Sequence, residues 1–391
     1  MYFYLIIGLL LWVASIPGLF LKQVSDSRIL KLLLISVLIF WGVCSFRFET
    51  GFDWVVYEQY FDDVGKAPFM RLPAGVVSME PLFYLLNYVV ALVGGFQLLL
   101  FVVGTFNTYC VAKFFSEFEV DGSFGLAFCF CWIFLPLQMG TIRQSIAISF
   151  VLLAMCYALS KESKKSIAFF VVAVGFQYSA LLYAFVFFER VIKFLLEKIW
   201  WFTSICVVFY LSGVGLGQVV PLLSKVIHIP FLSEKLAVYV DFGLSKRTLL
   251  GAGFLFLNCF ILIAAKKYIT EVGRRELMVI GALICLVAAQ ALFFDFAIIW
   301  NRIQYLACFS QAAIIYWIMM GFSEKHRVAI AMGVIPISSL ALFLFVSSPS
   351  ASIFIPYQSY IQHAITGEPG DGRSRTFQYY KRFLEQNGKS F

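Results

Sequence analysis

The chain has 391 residues, 61% of them apolar and 13% charged, with a net charge of +8. Its mean hydropathy is +0.88, which excludes a soluble globular protein, and no nucleic-acid partner is expected. Apolar runs of about 20 residues recur throughout, the length at which a helix crosses the hydrocarbon core. Lipid offers no partners to backbone N–H and C=O groups, so the spans are helices, and the runs are too long for barrel strands. The expected class is an all-α, polytopic integral membrane protein folded as one transmembrane domain over 1–391.

In chain order, spans are expected at 2–21, 30–46, 96–115, 123–138, 143–159, 165–176, 178–190, 199–220, 249–265, 277–298, 303–321 and 327–346, about twelve in all. The first lacks a basic leading region and reads as a span rather than a cleaved signal. Segment 80–93, ending at Gly94-Gly95, is short for a span and suits an interfacial or re-entrant helix. The two runs flanking Gln177 are individually too short, which predicts a broken helix there. Gly213, Gly215 and Gly217 lie in an apolar run and read as a packing or kink feature.

The positive-inside rule then sets the sides. Lys22–Lys31, Lys113, KESKK (161–165), ERVIKFLLEK (189–198), KKYITEVGRRE (266–276) and SEKHR (323–327) fall on one side, the cytoplasm. The other side receives the N-terminus, the first loop region 47–95, residues 139–143, the turn at Gln177, the large loop 222–248, residues 299–302 and the tail 347–391. The tail fits least well, because Arg373, Arg375, Lys381 and Arg382 favour the cytoplasm.

Three arginines on that non-cytoplasmic side, Arg47, Arg143 and Arg302, sit at span edges rather than in loose loops. Guanidinium groups held there suit an anion at the membrane surface, and the pyrophosphate of a lipid-linked sugar is the natural one. Around Arg47 the first loop carries Glu49, Gly51, Asp53, Trp54, Tyr57 and Phe61. Asp53, Tyr57 and Phe61 are four apart and share one face of a helix that Asp53 is placed to cap. The same pattern also suits a plain interfacial helix with aromatic anchors. Gln144 follows Arg143, and small Ser145 and Ala147 allow close helix approach. Asp295 lies in an apolar run seven residues before Arg302, placed to pair with it, and Tyr305 is one turn further on.

The loop 222–248 carries His228 and Tyr239 and has the polarity of a substrate lid. The nine cysteines are scattered without metal-type spacing and read as small packing residues. No metal site, phosphate loop or dinucleotide fingerprint stands in a fitting context. Charges at one face and no internal repeat argue against a lipid-linked glycan transporter.

Taken together, R-x3-G-x-D-x3-Y-x3-F at Arg47–Phe61, then Glu80-Pro81, Arg143-Gln144-x-Ile146-Ala147, Ser179-Ala180 and Arg302 with Tyr305 resemble the EpsG family of Wzy-type polysaccharide polymerases. The resemblance covers most of the chain in order and spacing. Two positions depart from the pattern: Ser145 stands where glycine is expected, and Gln177 where histidine is frequent.

The resemblance implies an O-antigen or exopolysaccharide repeat-unit polymerase in the bacterial inner membrane. It would act on undecaprenyl-pyrophosphate-linked oligosaccharide at the periplasmic face, among membrane lipids and beside a chain-length regulator. On this reading Arg47, Arg143 and Arg302 bind pyrophosphate without a metal or other cofactor. Asp53 is the first choice for base, then Glu49 and Glu80. Trp54, Tyr57, Gln144, Tyr239, Tyr305 and His228 contact sugar. A polyprenyl-phosphate-sugar glycosyltransferase or an O-antigen ligase is the nearest alternative chemistry.

Overall fold

A computed structural model describes residues 1–20, 26–69, 71, 79–213, 215, 247–269 and 271–386. The described residues are helical, joined by short turns, with one isolated β-bridge. The helices are α1 (Tyr2–Phe20), α2 (Asp26–Ser45), α3 (Trp54–Lys66), α4 (Pro81–Ala91), α5 (Phe96–Glu117), α6 (Gly122–Trp132), α7 (Ile142–Leu159) and α8 (Ser163–Phe176). There follow α9 (Glu189–Glu197), α10 (Ile199–Ser212), α11 (Leu249–Tyr268), α12 (Arg274–Leu292), α13 (Ala297–Met320), α14 (Glu324–Val346), α15 (Tyr360–Thr366) and α16 (Gly372–Gln386).

Eight of these helices are long and apolar enough to cross a membrane, or ten elements if each of two bent pairs forms one span. The protein is therefore a multi-pass membrane protein. The expected span at 123–138 is not one straight helix: α6 and a π-helical segment, Phe134–Gly140, meet at 85°. Pro136 within that segment has no N–H to donate, and the wider winding accommodates the loss. The expected span 199–220 also differs. Its helix α10 ends at Ser212, where Gly213 adopts φ +79°, a left-handed cap that glycine takes without a Cβ clash. Ahead of it, α9 turns away from α10 by 85°. Gly215 packs against Asp295 so closely that a Cβ would lie 2.3 Å from its carboxylate.

The break at Gln177 is as expected. Residue Gln177 is extended (φ −156°, ψ 114°), and a 3-10 run, Tyr178–Phe187, follows α8. Segment 80–93 forms the 11-residue α4, too short to span.

The chain divides into two compact units. The first comprises Met1–Ala180 and Ser323–Phe391. Its centre is α7, buried along most of its length and packed on α5 and α8, while α1 packs on α2, α6 and α14. At one end of this unit the Tyr4 hydroxyl donates to the Phe354 carbonyl, and Tyr357 donates to the Val43 carbonyl. At another, Arg327 donates to the Leu19 carbonyl and Asp121 lies against Gly18. The N-terminus, the end of α2 and the tail thus share one end of this unit. The second unit, Leu181–Phe322, is built on α12, which packs against α9, α10, α11 and α13.

Candidate functional site

The site grows from the point where α7 begins. Asn107, fully buried on α5, donates through Nδ2 to Gln138 Oε1 at 3.0 Å and to Ser145 Oγ at 2.9 Å. Ser149 donates to Asn107 Oδ1 at 2.8 Å. These bonds tie the π segment and the first turns of α7 to α5. Ser145, the departure from the family pattern, supplies one of the acceptors. The buried amides and hydroxyls are thereby paired rather than stranded in an apolar interior.

The first loop is seated on the end of the π segment. Gly51, at φ +128°, brings its Cα against the Met139 carbonyl, where a Cβ would stand only 2.2 Å away. No side-chain-bearing residue meets both conditions. Arg47 Nη1 donates to the same Met139 carbonyl. Arg47 is 2% exposed, and burial lowers its pKa to about 10. Its backbone bridges to Ser359. As placed, Arg47 grips backbone inside the protein and does not offer its fork to an outside anion.

Helix α3 then carries Tyr57 and α4 is introduced by Glu80. Arg143, second residue of α7, donates from Nη1 to Glu80 Oε2 at 2.5 Å and from Nε to the Tyr57 hydroxyl oxygen at 3.4 Å. Its guanidinium carbon is 5.7 Å from the Tyr57 ring centroid. Glu80 occupies the N-cap of α4, with Pro81 at the first helical position. A cation in the first turn of a helix opposes the helix dipole. The Glu80 carboxylate, its side chain wholly buried, offsets that opposition at the starts of both helices. The Arg143 side chain keeps 24% exposure, and among the described residues its Nη2 has no protein partner. Burial raises the Tyr57 pKa, opposed by Arg143 and reinforced by Asp53 and Glu80. The phenol therefore stays protonated, ringed by one cation and two carboxylates. Such a cluster holds a guanidinium edge ready for a phosphate oxygen, with carboxylate chemistry beside it.

The tail, 347–391, holds this loop from the other side. Phe48 N donates to the Gln358 carbonyl at 2.9 Å, and Tyr360 N donates to the Phe46 carbonyl at 2.8 Å. Glu49 Oε2 accepts from Gly372 N at 3.0 Å, at the start of α16. Trp54 Nε1 donates to Thr376 at 3.0 Å. Arg373 lies over the Trp54 ring and pairs with Glu58. Tyr380 donates to the Phe52 carbonyl at 3.1 Å and comes within 3.5 Å of Asp53 Oδ1.

Of the residues expected at the site, the structure groups Asp53, Tyr57, Glu80 and Arg143. Asp53 sits at the N-cap position of α3, as expected, yet makes no side-chain cap bond. Its carboxylate faces the Tyr380 hydroxyl instead. Glu49 is committed to the start of α16. Trp54, 3% exposed, has one ring face covered by Arg373 and its N–H bound to Thr376, which leaves no stacking face for a sugar. Gln144 is buried and accepts from Ser179 at 3.3 Å, a helix-to-helix contact. Arg302 and Tyr305 lie on α13 of the second unit, both half-buried, and the Arg302 carbonyl accepts from Tyr183 at 2.6 Å. His228 and Tyr239 lie outside the described residues. Thr376, Arg373 and Tyr380 were not foreseen. The only sequence signal for them was the basic and aromatic spacing of 373–382.

Against known proteins, the sequence model of the EpsG family matches residues 30–359. No curated relative and no solved structure matches the chain.

Proposed function

The chain belongs to the EpsG family, whose membership implies a membrane polysaccharide polymerase of glycosyltransferase type, and from that premise we propose that it joins lipid-linked oligosaccharide repeat units at the outer face of a bacterial inner membrane. In the proposed reaction the bond between the sugar C1 and the pyrophosphate oxygen of an undecaprenyl-pyrophosphate-linked glycan breaks. The electron pair leaves with the pyrophosphate. A hydroxyl of the terminal sugar on the incoming unit forms the new bond to C1, and its proton passes to a carboxylate. A single displacement inverts the anomeric centre.

The observation that carries this reading is Arg143. Its guanidinium is fixed on one side by Glu80, and its other edge is partly exposed beside the first amides of α7. Both features favour an oxyanion. Charge developing on departing pyrophosphate meets a donor that is already oriented, the condition under which such stabilisation is worth most. Asp53, half-buried and close to the Tyr57 and Tyr380 hydroxyls, is the proposed acceptor of the proton. Glu80 positions Arg143, because its buried carboxylate is occupied by that ion pair. Arg302 and Tyr305 are assigned to substrate by family pattern alone.

The test is the lipid-linked glycan ladder of a deletion strain. Single repeat units on the lipid anchor, with no longer chains, support a polymerase. Repeats lacking one sugar indicate a monosaccharide transferase and refute it. Long polymer left unattached to lipid A core indicates a ligase and also refutes it.

A further inference from the structure

One open, shallow pocket lies beside the first loop, outside the Arg143 cluster. Phe48, Gln358, Gln362, His363, Thr366 and Glu368 are among the residues that line it. We propose that this pocket binds a neutral sugar residue of the glycan chain, one or more residues removed from the reacting bond. The proposal rests on the polymerase reading above.

The chemistry of the lining selects the ligand. It contains no lysine or arginine, so phosphate and uronate are poorly matched. It does present amides, hydroxyls and one carboxylate around an aromatic edge, the mix that recognises a polyhydroxylated ring. The Phe48 and His363 rings, both in the lining, stack on each other at 4.1 Å with 15° between planes. His363 Nδ1 lies 2.6 Å from the Glu368 carbonyl, which can only accept. In the neutral ring Nδ1 therefore carries the proton, and Nε2 is left as an acceptor for a sugar hydroxyl. Thr366 Oγ1 is already committed, donating to the Gln362 carbonyl and accepting from Glu368 N. Gln358 accepts from Arg375 at 2.8 Å. The side chains of Gln362 and Glu368 have no protein hydrogen bond among the described residues and remain for the ligand. A carboxylate accepts from two neighbouring hydroxyls at once, and an amide both donates and accepts.

Position adds a second argument. Phe48 adjoins Arg47 and Glu49 and lies five residues before Asp53, on the loop that frames the proposed reaction centre. A chain bound at both places would be held between additions, so each release would be less frequent. The pocket then governs how long the product grows, not how fast one bond forms.

The experiment uses the full chain, purified in detergent. The probes are neutral oligosaccharides of one to four repeats released from the host's own surface polysaccharide, read by saturation-transfer NMR and calorimetry. Wild type should bind the fragments. Glu368→Gln and Gln362→Ala, both at exposed positions, should each weaken binding about tenfold through one lost hydrogen bond to a charged or amide group. In cells the two variants should shift the polymer to shorter chains while still joining two repeats. No binding by wild type, or wild-type affinity in both variants, overturns the proposal. So does a loss of affinity in Arg143→Lys with none in Glu368→Gln, which places the fragment at the reaction centre. The polymerase reading fails separately, if the deletion strain still makes chains of normal length.

Discussion

Removing Glu80 tests the core of the site most directly. In Glu80→Ala the Arg143 guanidinium loses its only carboxylate partner among the described residues. Breaking a fully buried ion pair from one side costs about 3–5 kcal/mol. Here the Glu80 side chain is wholly buried, but that of Arg143 is 24% exposed. Water reaching the guanidinium reduces the cost to about 2–3 kcal/mol. Against a typical stability of about 5–15 kcal/mol that is a visible loss. The assay is denaturant unfolding of the purified protein in micelles, together with the glycan ladder in cells. Glu80→Ala should unfold at lower denaturant and lose about 100-fold in polymerisation, since a displacement near 1 Å at a positioning group has that effect. Glu80→Met combined with Arg143→Met should recover most of the stability, because no unpaired charge remains, and should make no polymer. If Glu80→Ala unfolds at the wild-type midpoint, the ion pair does not anchor Arg143 and the reasoning fails. If the double variant polymerises normally, Arg143 has no part in the chemistry.

Arg143→Lys keeps the charge but loses the planar fork, so the ladder should collapse to short products at unchanged protein level; full-length polymer would exclude bidentate binding. Asp53→Asn should leave membrane insertion normal and turnover low; near-normal turnover rules Asp53 out as proton acceptor, and loss of protein assigns it to folding. Reversing one tail contact, Arg373→Glu, should reduce polymerisation several-fold, and adding Glu58→Arg should restore most of it. No restoration in the double variant means that the Glu58–Arg373 pair does not hold the loop.

Local signals made much of the fold legible. Apolar run length revealed the spans, the short run 80–93 is the short helix α4, and the interruption at Gln177 is a real break. Two breaks were hidden. Residues 123–138 look continuous because every side chain but Gln138 suits lipid or a core, and Pro136 alone marks the bend. In 199–220 the apolar run continues past the glycine that ends the helix. The site was legible as a list of residues and not as pairings. Glu80 and Arg143 are 63 residues apart, and no periodicity links them. Arg47 and Arg143 look alike at span edges, yet one is sealed in by Met139 and the tail while the other keeps an open edge. The tail was hardest to place. Its Arg373 and Arg375 engage Glu49, Glu58 and Asp371, pairings that a count of charges does not reveal.

The embrace between loop and tail also sets a timetable for biosynthesis. Trp54 and Thr376 are 322 residues apart in sequence. At ribosomal speed that interval lasts roughly 15–60 s. Spans can enter the bilayer one after another throughout it, but the segment bearing Asp53 and Tyr57 waits for α16 to be made. Closing so distant a contact carries a large entropic cost and comes late. A nascent or truncated chain thus carries its first loop without the tail contacts, and that loop is completed only when the last helix has arrived.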